Sequence, residues 1–147
     1  MSSNQSVIVA GVRTPMGAFM GALAGVPAAQ LGATCVKALL ERTGLPPDRV
    51  DDVIMGTCIA AGQGMNPARQ VAIHGGLSPN SHALTVNEAC ASGLRAVMLA
   101  DQIIRIGDAG VVIAGTPNAT TSRTNPSASP TRKHSAIASG RPVSSRR

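Results

Sequence analysis

The order in which the apolar runs change period constrains this chain most. "SVIVAG" (6–11) is a continuous apolar run of strand length, and it predicts a buried first strand. "AAQLGATCVKALLERTG" (28–44) has helical spacing, with Leu31, Cys35, Ala38 and Leu39 on one face and Gly44 as its stop. "DDVIMGTCI" (51–59) holds a second strand. In "AAGQGMNPARQVAIHGG" (60–76) a loop leads into a helix, with Asn66 as N-cap and Pro67 at the first helical position. "HALTVN" (82–87) is a third strand, residues 91–107 are the longest helix, closed by Gly107, and "AGVVIAG" (109–115) is a fourth strand. Strands joined by helical crossovers predict an α/β fold with a mainly parallel sheet and helices on both faces.

Composition fits that frame. Hydrophobic residues make up 44% of the 147 and aromatic residues 1%, with Phe19 the single example. The core must then be aliphatic, as in sheets covered on both faces. The lack of rings argues against a stacking platform for single-stranded nucleic acid. The helix at 91–107 is apolar nearly all round, from Leu94 to Ile106, so it is expected to be buried on more than one side, inside a layered structure.

The net charge of +6 is a property of one end. Residues 1–115 hold seven basic and seven acidic side chains, which cancel, and residues 116–147 hold six basic side chains and no acid. That end is rich in Ser, Thr, Pro and Arg and lacks periodicity, which reads as a disordered basic tail. Residues 1–115 are therefore expected to be the domain and 116–147 the tail. The tail's composition is that of a shifted reading frame in a G+C-rich gene. A nucleic-acid-binding tail is the alternative, and charge alone would support only nonspecific contact. The N-terminus has neither the basic start nor the apolar stretch of a signal peptide, and no run has membrane-spanning length. The three cysteines lack metal-ligand spacing. Together these features predict a cytoplasmic protein with reduced thiols, no metal and no membrane partner.

Chemistry concentrates at Cys90, in "TVNEACASGLRAV" (85–97). A thiol attacks as its thiolate, and the start of a helix favours negative charge. Cys90 lies on a strand-to-helix turn, followed by the small residues Ala91, Ser92 and Gly93, which would admit a bulky substrate. Backbone N–H groups of the turn would suit an oxyanion. The competing reading is a small buried hydrophobe, the commonest role of a free cysteine, and spacing alone leaves both open. Cys35 on an apolar helix face and Cys58 directly after a strand read as structural.

Residues 86–115, "VNEACASGLRAVMLADQIIRIGDAGVVIAG", resemble the stretch that thiolases carry around their nucleophilic cysteine. "RTPMGAFMGAL" (13–23) is similar to the first loop of that family, "LPPDRVDDVIMG" (45–56) to the segment that leads into its second strand, and "AGQGMNPARQVAIHGGL" (61–77) to its dimer-side loop and helix. The resemblance runs over roughly residues 6–115. It implies a thiolase-like layered α/β/α/β/α fold of which this chain holds an incomplete N-terminal half. It implies an acyl-CoA C-acyltransferase of lipid metabolism, with Cys90 accepting the acyl group in thiolytic cleavage or Claisen condensation. It also implies acetyl-CoA and CoA as substrates, no further cofactor, and a homo-oligomer. "ACASG" favours a thiolase over the related β-ketoacyl synthases; a noncatalytic binding module is the other alternative. The family's Gly-His-Pro and Cys-x-Gly-x-Gly motifs have no counterpart, and His74, His82 and His134 match none of its motifs. Loss of a general base commonly costs about 10²–10⁴-fold. The expectation is a chain without thiolase turnover by itself, with an exposed sheet edge that favours aggregation.

Overall fold

The computed structural model describes residues 5–117. Its elements are α1 (Ala28–Thr43), a 3-10 turn (Pro47–Arg49), β1 (Asp52–Gly56), α2 (Pro67–His74), β2 (His82–Val86), α3 (Ser92–Ile106) and β3 (Val112–Gly115). The three strands form one parallel sheet in the order β2-β1-β3. The expected crossover architecture is therefore present.

Side chains of the central strand alternate between two cores, as the pleat requires. Val53 and Met55 point to the side of α1 and α2, where they join Val36, Val50, Ala68, Val71 and Ala72. Ile54 points to the other side and packs on Ala96 and Ala100 of α3. Val53, Ile54, Val71 and Ala96 have no exposed surface, and small residues set the spacing between layers. A Cβ on Gly32 of α1 would lie 2.7 Å from the Val71 Cγ2 of α2, so glycine lets the two helices touch. The buried stripe of α1 is Ala28, Ala29, Gly32, Ala33 and Val36. It is rotated from the predicted face, because this close approach selects the smallest residues instead of the largest.

Local signals ended the helices as expected. Gly44 and Gly107 take left-handed conformations, φ 66° and 85°, after α1 and α3. Asn66 caps α2 by accepting the Arg69 N–H at 3.2 Å, with Pro67 as the first helical residue. The Asn66 side chain also accepts from the Thr85 hydroxyl at 2.7 Å and donates to the Ala83 carbonyl at 3.0 Å, so the cap ties α2 to β2.

Three further expectations are corrected. Residues 6–11 form no strand: Val7, Ile8 and Val9 are 76–86% exposed. No described strand offers them a partner, and an apolar run without a partner strand gains neither ladder bonds nor burial. The segment is held instead by Ser6, hydrogen-bonded to Asp101 of α3, and by Arg42 of α1, which donates to the Gly11 carbonyl at 3.1 Å. The second correction concerns α3, which is packed on one side only. Ser92, Ala96 and Ala100 are buried, while Leu94 and Ile106 are 66% and 71% exposed. Among the described residues no helix or strand outside the sheet covers the far side of this helix, so an all-round apolar sequence leaves an apolar surface. The third concerns Cys58, which is exposed and contacts the turn that carries Cys90.

The expected tail lies outside the described residues except for Thr116 and Pro117. Both pack on the domain: the Thr116 hydroxyl donates to the Gly56 carbonyl at 2.9 Å, and Pro117 is buried near Gly32.

Candidate active site

The C-terminal ends of β1 and β2 bring the candidate site together. Parallel pairing sets Gly56 opposite Val86, and the Thr57 N–H continues the ladder to the Val86 carbonyl at 2.9 Å. The chain after β1 (Thr57, Cys58) thus runs beside the chain after β2 (Asn87, Glu88). The Asn87 amide donates across to the Cys58 carbonyl at 3.1 Å and accepts the Ala89 N–H at 3.0 Å. This asparagine closes an Asx-type turn, and Ala89 adopts φ 50°, a left-handed conformation uncommon outside glycine.

Ser92, almost completely buried, fastens the turn from beneath. Its hydroxyl accepts the Glu88 N–H at 2.9 Å and donates to the Ala89 carbonyl at 2.6 Å. The Ala91 and Ser92 N–H groups bond back to Glu88 and Ala89. Gly56 permits the contact between this turn and the sheet: a Cβ there would lie 2.4 Å from the Ser92 carbonyl carbon. Cys90 is exposed on top, two residues before α3. Cys90 also forms an isolated parallel bridge with Glu88, and none of the turn's hydrogen bonds named above is donated by its backbone N–H.

Charge flanks the turn without touching the sulfur. Arg95 of α3 donates through Nε to Glu88 at 2.8 Å, and this bond holds the Glu88 carboxyl below its usual range and raises the Arg95 guanidinium. Both residues are solvent-exposed or nearly so, which makes the pair a marker of turn geometry more than a source of stability.

Cys58 is the residue that sequence reasoning missed. Its thiol donates to the Ala89 carbonyl at 2.8 Å, beside the peptide bond that leads into Cys90. A usable signal existed: both cysteines closely follow apolar strands, and ligand sites in parallel sheets gather at the carboxyl ends of strands. Cys35, by contrast, lies partly buried on α1. The histidines stay away from the turn. His82 opens β2, about 13 Å of strand from its other end, and His74 is exposed at the end of α2. His134 lies outside the described residues.

Comparison with known proteins matches the sequence and fold of the chain to one family. The family model described as thiolase, N-terminal domain, fits residues 6–140. The chain is 56% identical over 109 residues to a probable acetyl-CoA acetyltransferase of Escherichia coli, which covers 74% of this chain and 28% of that protein. It is 53% identical over 109 residues to an acetyl-CoA acetyltransferase of Pseudomonas aeruginosa, with the same coverage. The crystal structure of the Bacillus anthracis acetyl-CoA acetyltransferase superimposes with a TM-score of 0.73 at 36% identity, covering 78% of this chain and 30% of that one. The three-stranded sheet and its helices are thus part of a thiolase fold, and the alternative of a β-ketoacyl synthase gives way. The chain spans about 28% of the length of the curated relatives it matches, and it belongs to the thiolase family as a portion from that family's N-terminal domain.

Proposed function

We propose that Cys90 is the acyl-accepting nucleophile of an acyl-CoA C-acyltransferase, with acetyl-CoA as the acyl donor. The observation that carries this is the presentation of Cys90: an exposed thiol on a turn whose other groups are tied down by Ser92, Asn87 and the β1–β2 ladder. The names of the relatives, all acetyl-CoA acetyltransferases, supply the donor.

In the reaction the Cys90 thiolate attacks the thioester carbonyl carbon. The carbonyl oxygen takes up negative charge and is met by the Cys90 N–H. Because Ser92 and the Asx turn already hold the backbone, little reorganisation is needed as that charge develops. Collapse of the intermediate breaks the carbon–sulfur bond to coenzyme A, which leaves as thiolate and takes a proton from water, and the acetyl group remains on Cys90. Small residues at 91 and 93 leave room for the donor.

Completion of a Claisen condensation needs a base to deprotonate a second acyl-CoA, and no histidine among the described residues stands at the turn. The reading is therefore one of stoichiometric acylation without sustained turnover by these residues. A homo-oligomeric assembly and a cytoplasmic setting belong to the same reading, supported by the family and by the three free cysteines.

The test is direct. The purified chain is incubated with acetyl-CoA, digested, and its cysteine peptides are weighed. One acetyl group on the Cys90 peptide, removed by hydroxylamine and lost in Cys90→Ala, is expected. Acetylation at Cys58 or Cys35 instead, or none in a chain whose circular dichroism shows it folded, would refute the reading.

A further inference from the structure

Cys58 has no part in that acyl transfer, yet it is one of two exposed thiols at the site. We propose that Cys58 and Cys90 form a reversible two-thiol redox site, in which a hydroperoxide oxidises Cys90 and Cys58 captures the product as an intramolecular disulfide.

The geometry rests on bonds already described. The Cys58 sulfur lies 2.8 Å from the Ala89 carbonyl oxygen. In a trans peptide that oxygen is about 2.8 Å from the next Cα. The Cys58 sulfur is therefore no more than roughly 5.6 Å from the Cys90 Cα. A disulfide sets its two Cα atoms about 4.4–6.8 Å apart and its Cβ atoms about 3.5–4.5 Å apart. That bound is compatible with a bond made by rotation of the exposed Cys90 side chain, on a turn whose Ala89 is left-handed. The Cys58 backbone is fixed in that position by Asn87, which donates to its carbonyl at 3.1 Å.

The chemistry balances with a hydroperoxide as oxidant. With hydrogen peroxide as the oxidant, the Cys90 thiolate attacks one peroxide oxygen, the O–O bond breaks, and the other oxygen departs, protonated, as water (as the alcohol for an alkyl hydroperoxide), giving Cys90 sulfenic acid. The Cys58 thiolate then attacks the Cys90 sulfur and displaces hydroxide, which leaves as a second water after protonation. Two sulfurs together lose two electrons, and one peroxide gains them. A small dithiol restores both thiols by exchange. Capture by Cys58 competes with further, irreversible oxidation of Cys90 to the sulfinic acid. Disulfide formation does not depend on the acyl-transfer reading; only its consequence, a masked acyl acceptor, does.

The experiment uses the full chain, reduced, freed of reductant and treated with hydrogen peroxide. Remaining thiols are alkylated and the chain is digested without reduction. The expected product is a cross-linked peptide joining Cys58 to Cys90, reversed by dithiothreitol, with Cys35 alkylated throughout. Cys58→Ser should lose the cross-link and leave Cys90 as a sulfenic acid that reacts with dimedone. Cys35→Ser should keep the cross-link, which controls for misfolding. A Cys90 in the unchanged chain that passes to sulfinic acid as readily as in Cys58→Ser would overturn the proposal, as would a cross-link through Cys35. Acetyl labelling of the reduced chain is read separately, so either idea can fail alone.

Discussion

Gly56 and Ser92 meet so closely that the glycine has no room for a side chain: an added Cβ would lie 2.4 Å from the Ser92 carbonyl carbon and 2.7 Å from the Gly93 nitrogen. These neighbours are backbone atoms, which cannot swing aside. The contact docks the start of α3, and with it the Cys90 turn, onto the central strand. Gly56→Ala should cost about 1–3 kcal/mol, the range for inserting volume into a packed interior. Acetyl labelling of Cys90 should fall further than the loss of folded protein explains. Urea melts and labelling of the same samples separate the two effects, and unchanged labelling with normal stability would contradict the close contact.

Ser92→Ala removes the acceptor of the Glu88 N–H and the donor to the Ala89 carbonyl from a buried site. Leaving such groups unpaired costs about 1–3 kcal/mol. The turn should loosen as well, so amide exchange at Glu88 and Ala89 should rise more than at the Val53 and Ile54 amides of the central strand. Equal changes at both places would show that Ser92 supports the whole domain and not the turn.

Asp51 makes stability depend on pH. Its carboxylate accepts the Val111 N–H at 2.9 Å and the Gly110 N–H at 2.7 Å, tying the start of β1 to the start of β3. These two bonds, Val111 first, hold its carboxyl below the usual 3.8, with help from Arg49. A carboxyl whose folded pKa is depressed contributes stability above its unfolded value, and the contribution fades as pH falls through the folded value. Asp51→Asn should thus destabilise the domain near neutral pH by about 1 kcal/mol, a low figure because water competes at this exposed group. The difference should shrink as pH drops below about 4. Urea midpoints of both proteins measured from neutral to acid pH provide the check, and a difference that stays constant would rule out the carboxylate as its source.

Asn66→Ala should be costly for a surface residue. It loses the cap on Arg69 and the links to Thr85 and Ala83, and it puts alanine at φ 41°. A loss of about 2 kcal/mol is expected. Asn66→Gly, which relieves the backbone but not the side-chain bonds, should lie between the two in thermal melts.

The exposed apolar side of α3 should make the chain self-associate as its concentration rises. Leu94→Gln should reduce that association while changing stability by less than about 0.5 kcal/mol, since Leu94 is 66% exposed. Sedimentation velocity over a concentration series measures the first effect and a melt the second. Association unchanged by Leu94→Gln would locate the sticky surface elsewhere, for instance at Val7–Val9.

Much of this architecture was legible in the chain because its signals are local. Period, caps and stops placed α1, α2 and α3 to within a residue or two, since Asn66, Pro67, Gly44 and Gly107 act on their own neighbours. Residues 6–11 misled because strand-like composition reports suitability for a sheet and not the presence of a partner. The turn that carries Cys90 was legible as a strand-to-helix junction, whereas the place of Cys58 after a strand told its end of the sheet but not its contact with Ala89, 31 positions away.

From residue 28 onward the sequence alone determined the kinds of element, their order and the parallel sheet they require, because each follows from periodicity within one short segment and from the handed crossovers between segments. Tertiary structure decided which face of α1 is buried, how much of α3 stays exposed, and that Cys58 lies against the turn that carries Cys90. Those outcomes depend on strand register and on how closely backbones approach at Gly32 and Gly56, distances that no stretch of sequence carries by itself.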